Sequence, residues 1–275
     1  MSLEMILKYQ LPQVYGGLLP RELLDFDPQE AKATCDNCAM SRPQNRAKVH
    51  YAPDLKCCTF HPFLANFMVG ALFYEQSSTE AHRIFRDKIT RREYALPLGL
   101  VAPVKYQVEF NHRKENEFGQ RADWLCPYFN LESKNCNVWR NRGVVCTTFF
   151  CKSSYGKKGI KFWEQMSNYL WYVELALLEE ALVMLDFSPR QVMTLLEYHN
   201  RFEGTVAEKK TSVIPEKKSR ELWNGYYDDQ EGFYKKSYDI VANLDKKAFH
   251  ELLGEQGQDL EEQLFTLLPQ LEKVD

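Results

Sequence analysis

The sequence predicts a mainly α-helical protein with little β-structure, in which a loop-rich cysteine region packs on C-terminal helices. Three observations carry that expectation. All eight cysteines of the 275 residues fall between Cys35 and Cys151. From about Ile160 onward the chain has none, and it reads as runs of strong helix formers with apolar residues at helical spacing. Among the cysteines, clusters of Asn, Asp, Ser, Gly and Pro punctuate short apolar runs. The expected organisation is a cysteine-bearing region over 1–159 and a helical region over 160–275, joined in one compact unit. A chain of this length buries a core without staples, so the cysteines serve something other than cohesion.

The elements follow in order. Residues 1–34 read as an irregular lead-in, with a turn at Tyr15-Gly16-Gly17 and a short helix near Asp27 to Lys32. The stretch CDNCAMSRPQN from Cys35 is loop-like. FLANFMVGALFYEQ, from Phe63, is apolar on most sides and predicts a buried helix. SSTEAHRIFRDKITRREY predicts a second helix, capped by Ser77 or Ser78. Its apolar stripe is Ile84, Phe85 and Ile89, and its basic face is Arg83, Arg86, Lys88, Arg91 and Arg92. LPLGLVAP ends it. VKYQVEF, from Val104, alternates and predicts a strand. NHRKENEFGQRADW predicts a loop. KFWEQMSNYLWYVELALLEEALVMLDF, from Lys161, predicts the central core helix. Ser188 followed by Pro189 predicts the start of the next. After a linker near Gly204, helices are expected around 216–243, 245–254 and 258–273.

The net charge of −3 and pI near 6.1 argue against general nucleic-acid binding, which leaves a basic footprint. The N-terminus lacks the basic, apolar and small-residue segments of a secretory signal. The most apolar stretch, Phe162 to Phe187, is interrupted by Glu164, Glu174, Glu179, Glu180 and Asp186, so no membrane span is expected. The reading is a cytoplasmic protein. Thiols stay reduced there, and grouped cysteines bind metal or do catalysis.

The cysteines are Cys35-x2-Cys38, then Cys57-Cys58, then Cys126, Cys136, Cys146 and Cys151. A disulfide within the adjacent pair is strained, because neighbouring Cα atoms lie about 3.8 Å apart and an unstrained bridge needs roughly 4.4–6.8 Å. Cys-x2-Cys lets two thiolates reach one metal around a tight turn. Any single cysteine can be an apolar filler, but eight within 117 consecutive positions are hard to explain that way. All eight are candidate metal ligands. In an extended chain Cys57 and Cys58 point to opposite faces, so they serve different metal atoms, or one ligates and the other packs. Eight thiolates fill two four-coordinate zinc sites, or one four-cysteine cluster plus a second site or spare thiols.

These residues resemble the YkgJ-like cysteine-cluster family, described as a putative zinc- or iron-chelating domain. The family pattern reads roughly C-P-[FL]-[FL], then C-x-[IV]-[YW]-x-x-R-P-x-x-C-x-x-F-x-C. Cys126, Pro127, Cys136, Val138, Trp139, Arg142, Cys146, Phe149 and Cys151 fall on matching positions. Its C-x2-C followed by C-C is matched by Cys35, Cys38, Cys57 and Cys58. The match spans under half the chain. Gly143 stands where the family has proline and Thr147 where arginine is common. Eighteen residues separate Cys38 from Cys57 where many members have two. A more distant likeness is to flagellin lysine methylases, in which an iron–sulfur cluster is implicated in methyl transfer. The resemblance implies a metal-binding protein, with Arg142 supporting the site.

His61 and His50 are further candidate ligands, secondary to eight thiols. His82, His199 and His250 read as ordinary helix residues and His112 as a loop residue. Arg140, Lys152, Lys157 and Lys158 flank the last cysteines and read as a solvated basic loop. The function expected is metal binding through a cysteine cluster, a [4Fe–4S] iron–sulfur centre being favoured over zinc. Redox or transfer chemistry on an unknown substrate is left open. The alternative is a structural zinc module supporting a protein partner.

Overall fold

The computed structural model of the chain describes residues 6–28, 30, 40, 51–150 and 153–271. Cys35, Cys38, His50, Cys151 and Lys152 lie outside the described residues. The chain is mainly helical, with small sheets only. After a short helix α1 (Arg21–Leu24), strand β1 (Leu64–Ala65) leads directly into α2 (Asn66–Tyr74). Helix α3 (Thr79–Arg91) follows, then a hairpin of β2 (Ala95–Leu96) and β3 (Gly99–Leu100). The three strands form one antiparallel sheet in the order β1-β3-β2, with Leu64 opposite Leu100 and Ala95 opposite Leu100.

Helix α2 is buried along nearly its whole length, as its unbroken apolar run predicts. Asn66 opens it: Oδ1 accepts from the Phe67 amide at 2.7 Å, and Nδ2 donates to the Leu178 carbonyl at 3.2 Å. Gly70 lies against α9 (Gln230–Ala242), where a Cβ would run into the Tyr234 carbonyl oxygen. The close approach of two backbones therefore requires glycine there.

Helix α6 (Lys157–Met184) is the central element. It buries Phe162, Trp163, Met166, Tyr169, Leu170, Val173, Leu177, Leu178, Ala181 and Leu182. At about 1.5–3 kcal/mol for each large apolar side chain, this one face is a major stabilising element. Helix α10 (Lys246–Phe265) packs along it, and α11 (Leu268–Leu271) is the last element among the described residues. The core is one cluster that includes residues on both sides of residue 160. Trp223, at the end of α8 (Glu216–Trp223), donates to the Ala95 carbonyl at 3.1 Å, and the Tyr234 hydroxyl donates to Leu96 at 2.9 Å. These bonds fix the C-terminal helices to the β2–β3 hairpin.

Several expectations are corrected. VKYQVEF is helix α4 (Val104–Asn111), not a strand. Its buried positions Val104, Gln107 and Phe110 recur every three residues, a helical spacing. Gln107 secures it, donating to Ala102 and Tyr198 carbonyls at 2.6 and 2.9 Å and accepting from the Arg201 amide at 2.7 Å. Of the short helix expected near Asp27 to Lys32, Asp27, Pro28 and Glu30 are not helical and Gln29, Ala31 and Lys32 lie outside the described residues; the short helix of the described lead-in is α1. Lys88 is not on a solvated basic face: it is 3% exposed. The expected helix over 216–243 is two, α8 and α9, separated by a 3₁₀ turn at Asn224–Tyr226. The break expected near 254, by contrast, is present: α10 is two helices joined by a kink at Gly254, whose φ of 58° is left-handed.

Helix α7 (Pro189–Leu196) starts as its sequence predicts. Ser188 accepts from the Gln191 amide while the Gln191 side chain receives the Ser188 amide, a reciprocal capping box. Ser188→Ala is expected to lower unfolding free energy by about 1 kcal/mol in urea titration, with the m-value unchanged.

Candidate metal centre

Cys57 and Cys58 sit in consecutive turns between Pro53 and Thr59. The amides of Leu55 and Lys56 both donate to the Ala52 carbonyl, and Lys56 takes a left-handed φ of 54°. This coiling, rather than an extended path, brings both thiols to the wall of one cavity. The two are hydrogen-bonded to one another.

The second group arrives by three short devices. The Cys126 amide donates to the Cys58 carbonyl at 2.7 Å, so the two segments are in direct backbone contact. The hairpin of β4 (Phe129–Asn130) and β5 (Asn135–Cys136) then places Cys136 opposite Phe129. Asn130 Oδ1 closes its turn by accepting from the Glu132 and Ser133 amides, each at 2.9 Å. The Lys56 ammonium donates to the Lys134 carbonyl at 3.2 Å, and Lys134 pairs with Asp54 at 2.8 Å. The hairpin is thereby tied to the turn that carries the adjacent cysteines. Finally Cys146 lies on α5 (Val144–Thr148), which packs against α6.

Gly143, which stands where the resembled pattern has proline, is the N-cap of α5. A Cβ there would run into the Phe63 carbonyl oxygen. Any Cβ at this position, proline's included, would require the Phe63 backbone beside β1 to shift. Thr147, a second position that differs from the resembled pattern, is buried and donates back to the Arg142 carbonyl at 3.1 Å.

Cys57, Cys58, Cys126, Cys136 and Cys146 thus line one cavity of about 850 Å³. Cys126 is buried and the others are half-buried. Cys57 is pulled down to about 7, first by the hydrogen bond from Cys58 and then by Arg142 and Lys56, against the opposing effect of burial. Burial pushes Cys126, Cys136 and Cys146 upward. Cys126, Cys136 and Cys57 each add to the rise at Cys146, so these sulfurs sense one another's charge. Arg142, 8% exposed with its guanidinium carbon 3.6 Å from the Trp139 ring centre, lowers Cys57, Cys136 and Cys146 alike. Among the described residues, no three Cys, His, Asp or Glu side chains form a group that could hold a metal ion. The donor set fits a thiophilic centre chemically: soft sulfur, one thiol half ionised near neutral pH, and a buried cation to offset thiolate charge.

Two more residues flank the thiols. His61 is buried with its ring edge against Tyr106 and Tyr128, and its Nε2 has no hydrogen-bond partner among the described residues. Burial first, then the Lys88 charge, holds it well below the usual imidazole range. Lys88 pairs with Glu93 at 3.4 Å, and Cys126 contributes to its electrostatic environment. Arg140 is exposed and paired with Glu75 at 3.6 Å, and Lys157 and Lys158 are exposed.

Sequence reasoning missed Glu174 and His199. Glu174 is 1% exposed on α6 and lines the same cavity. Its Oε2 accepts from the Val144 amide at 3.2 Å, while Oε1 has no hydrogen-bond partner among the described residues. Burial raises its pKa to about 8. The signal was present as a lone carboxylate on the apolar face of a core helix, four residues after Leu170 and three before Leu177.

No helix among the described residues is long and apolar enough to cross a membrane. Comparison of the chain with family models, with curated proteins and with solved structures gives no match.

Proposed function

We propose that this protein binds a metal centre through its cysteines, with Cys57, Cys58, Cys126, Cys136 and Cys146 as ligand candidates and Arg142 as the cation beside them. The observation that carries this reading is that thiols from both sequence groups line one cavity. Sixty-seven residues lie between Cys58 and Cys126 with no cysteine among them, yet the two are joined by a backbone hydrogen bond. Cys35, Cys38 and Cys151 complete the candidate set from the sequence.

The favoured centre is a [4Fe–4S] cluster. Such a body takes thiolates spread around a void, and Cys ligation holds it; the thiols here are spread over the wall of a large cavity. A cluster would supply electron storage or a Lewis-acidic iron. The protein's own part is to present deprotonated sulfur, offset its charge with Arg142, and limit water at half-buried ligands. The resemblance to YkgJ-like proteins supports a chelating role and leaves zinc as the competing metal.

The test is metal identity. Protein purified without oxygen is expected to be brown, to absorb broadly near about 400 nm, to bleach with dithionite, and to contain acid-labile sulfide. Colourless protein with stoichiometric zinc and no sulfide, even after cluster reconstitution, refutes the iron assignment and puts the structural zinc module first. Protein that retains neither metal refutes the reading as a whole.

A further inference from the structure

The cavity is larger than the thiols require, and its α6 side has a different chemistry. Ser167, Trp171 and Glu174 follow one another at spacings of four and three, so one face of α6 runs from a half-exposed rim at Ser167 to a buried floor at Glu174. Aromatic rings wall this side. Phe63 packs edge-on to His199 at 4.8 Å between centroids, and Trp171 lies 4.9 Å from His199. Tyr106 and Phe110 stack at 5.4 Å on another wall. The whole cavity, its thiol side included, is about 850 Å³, within the roughly 300–1,000 Å³ of small-molecule sites.

Glu174 and His61 both line this space, and in each one buried polar atom, Glu174 Oε1 and His61 Nε2, has no hydrogen-bond partner among the described residues. A buried polar atom left unmet costs about 1–3 kcal/mol. Both residues are more than nine-tenths buried. A bound molecule that supplies the missing partners offsets that cost.

We propose that the α6 side of the cavity is a binding site for a neutral, flat aromatic molecule carrying an uncharged hydrogen-bonding group such as an amide. The aromatic walls take the ring, Glu174 donates its carboxyl hydrogen to the ligand's carbonyl, and His61 offers a second polar contact. The charge state follows from burial. Glu174, raised to about 8, is mostly a neutral acid at pH 7, and His199, lowered to about 4, is a neutral imidazole. A charged ligand would leave water for a wall of aromatic rings and these two neutral groups, a loss of several kcal/mol. This site does not depend on a metal at the thiols.

The experiment is calorimetric titration of the full-length protein as purified, at pH 7, with benzamide, benzamidine, benzoate and toluene, the metal content of the same sample being measured. Benzamide is expected to bind about tenfold more tightly than toluene, the worth of one good hydrogen bond, and about a hundredfold or more tightly than benzamidine or benzoate, whose charge would be buried. Glu174→Met should weaken benzamide by about tenfold and leave toluene unchanged, whereas Glu174→Gln, which keeps a donor, should retain benzamide affinity. If Glu174→Met does not fold, Ser167→Phe fills the cavity from its half-exposed rim and should abolish benzamide binding at an unchanged melting temperature. Tighter binding of benzamidine or benzoate overturns the neutral class. Equal binding of toluene and benzamide, no response to Glu174→Met or to Ser167→Phe, or no binding of benzamide overturns the site. A metal-loaded sample that fails to bind benzamide defeats this proposal alone, and a metal-free sample that binds it defeats only the metal reading.

Discussion

Glu174→Gln is expected to melt well above the parent at pH 9 and close to it at pH 4. In the folded protein burial raises this carboxyl from 4.5 to about 8, against a smaller opposing effect of the Val144 amide. A group whose folded pKa is raised contributes stability that is fully present below its unfolded pKa. That contribution is lost as pH rises, progressively between 4.5 and about 8, and is gone above. At about 1.4 kcal/mol per pH unit, the interval corresponds to an upper limit on the order of 5 kcal/mol. At roughly 2–4 °C per kcal/mol for a chain of this size, the gap at pH 9 should reach about 10 °C. Glutamine has the same shape, keeps an oxygen for the Val144 amide, and carries no charge. Tyr15 faces Glu174 and is itself raised, first by burial and then by this carboxylate, so it stays neutral in the window. His61 and His199 are both lowered and destabilise the fold in acid, but they are common to parent and variant and cancel in the difference. Equal pH profiles for the two proteins would mean that Glu174 is solvated and ionised. A group that costs stability at working pH is a candidate for function.

What the sequence disclosed and what it concealed divide along physical lines. Periodicity over long segments was legible: α2, α3 and α6 run where apolar spacing puts them, and Ser188-Pro189 marks the start of α7. Val104 to Phe110 misled because Val104, Tyr106, Val108 and Phe110 alternate as in a strand, while the buried set is Val104, Gln107 and Phe110. A buried glutamine with three backbone partners has no apolar signature, so tertiary hydrogen bonding overrode the pattern. Lys88 misled similarly: its charge reads as surface, yet it is drawn inward between Glu93 and Cys126. At the site, the cysteines were legible because their grouping has no packing explanation. Their shared cavity was not, since the contact between Cys58 and Cys126 spans 68 positions. Glu174 and His199 reach that cavity through the rotation of α6 and the turn after α7, which spacing alone does not place against the cysteines.

Cys146→Ser is expected to lower metal content and melting temperature together, and Cys136→Ser likewise. Without a cation these thiols sit in a mutually unfavourable set. Burial raises Cys146 most, and Cys126, Cys136 and Cys57 raise it further, with Arg142 offsetting only part. A metal ion or cluster reverses that balance by stabilising several thiolates at once, and binding releases their protons. Losing a direct ligand should cost more than the roughly 10–100-fold in affinity that outer partners cost. Where the metal had been present at about 100 times its dissociation constant, that removes about 2.7 kcal/mol of linked stability, a fall of roughly 5–10 °C. Packing and ligation predict different outcomes after chelation. Serine and cysteine differ little in size, so parent and variant stripped of metal should melt within about 1 kcal/mol of each other. The gap should open only when metal is restored, and it should narrow toward acid pH as protons compete for the sulfurs. A gap that is the same with and without metal would make Cys146 a packing residue on α5. It would also move the ligand set toward Cys57, whose thiol, at about 7, ionises more readily than those of Cys126, Cys136 and Cys146, which burial raises.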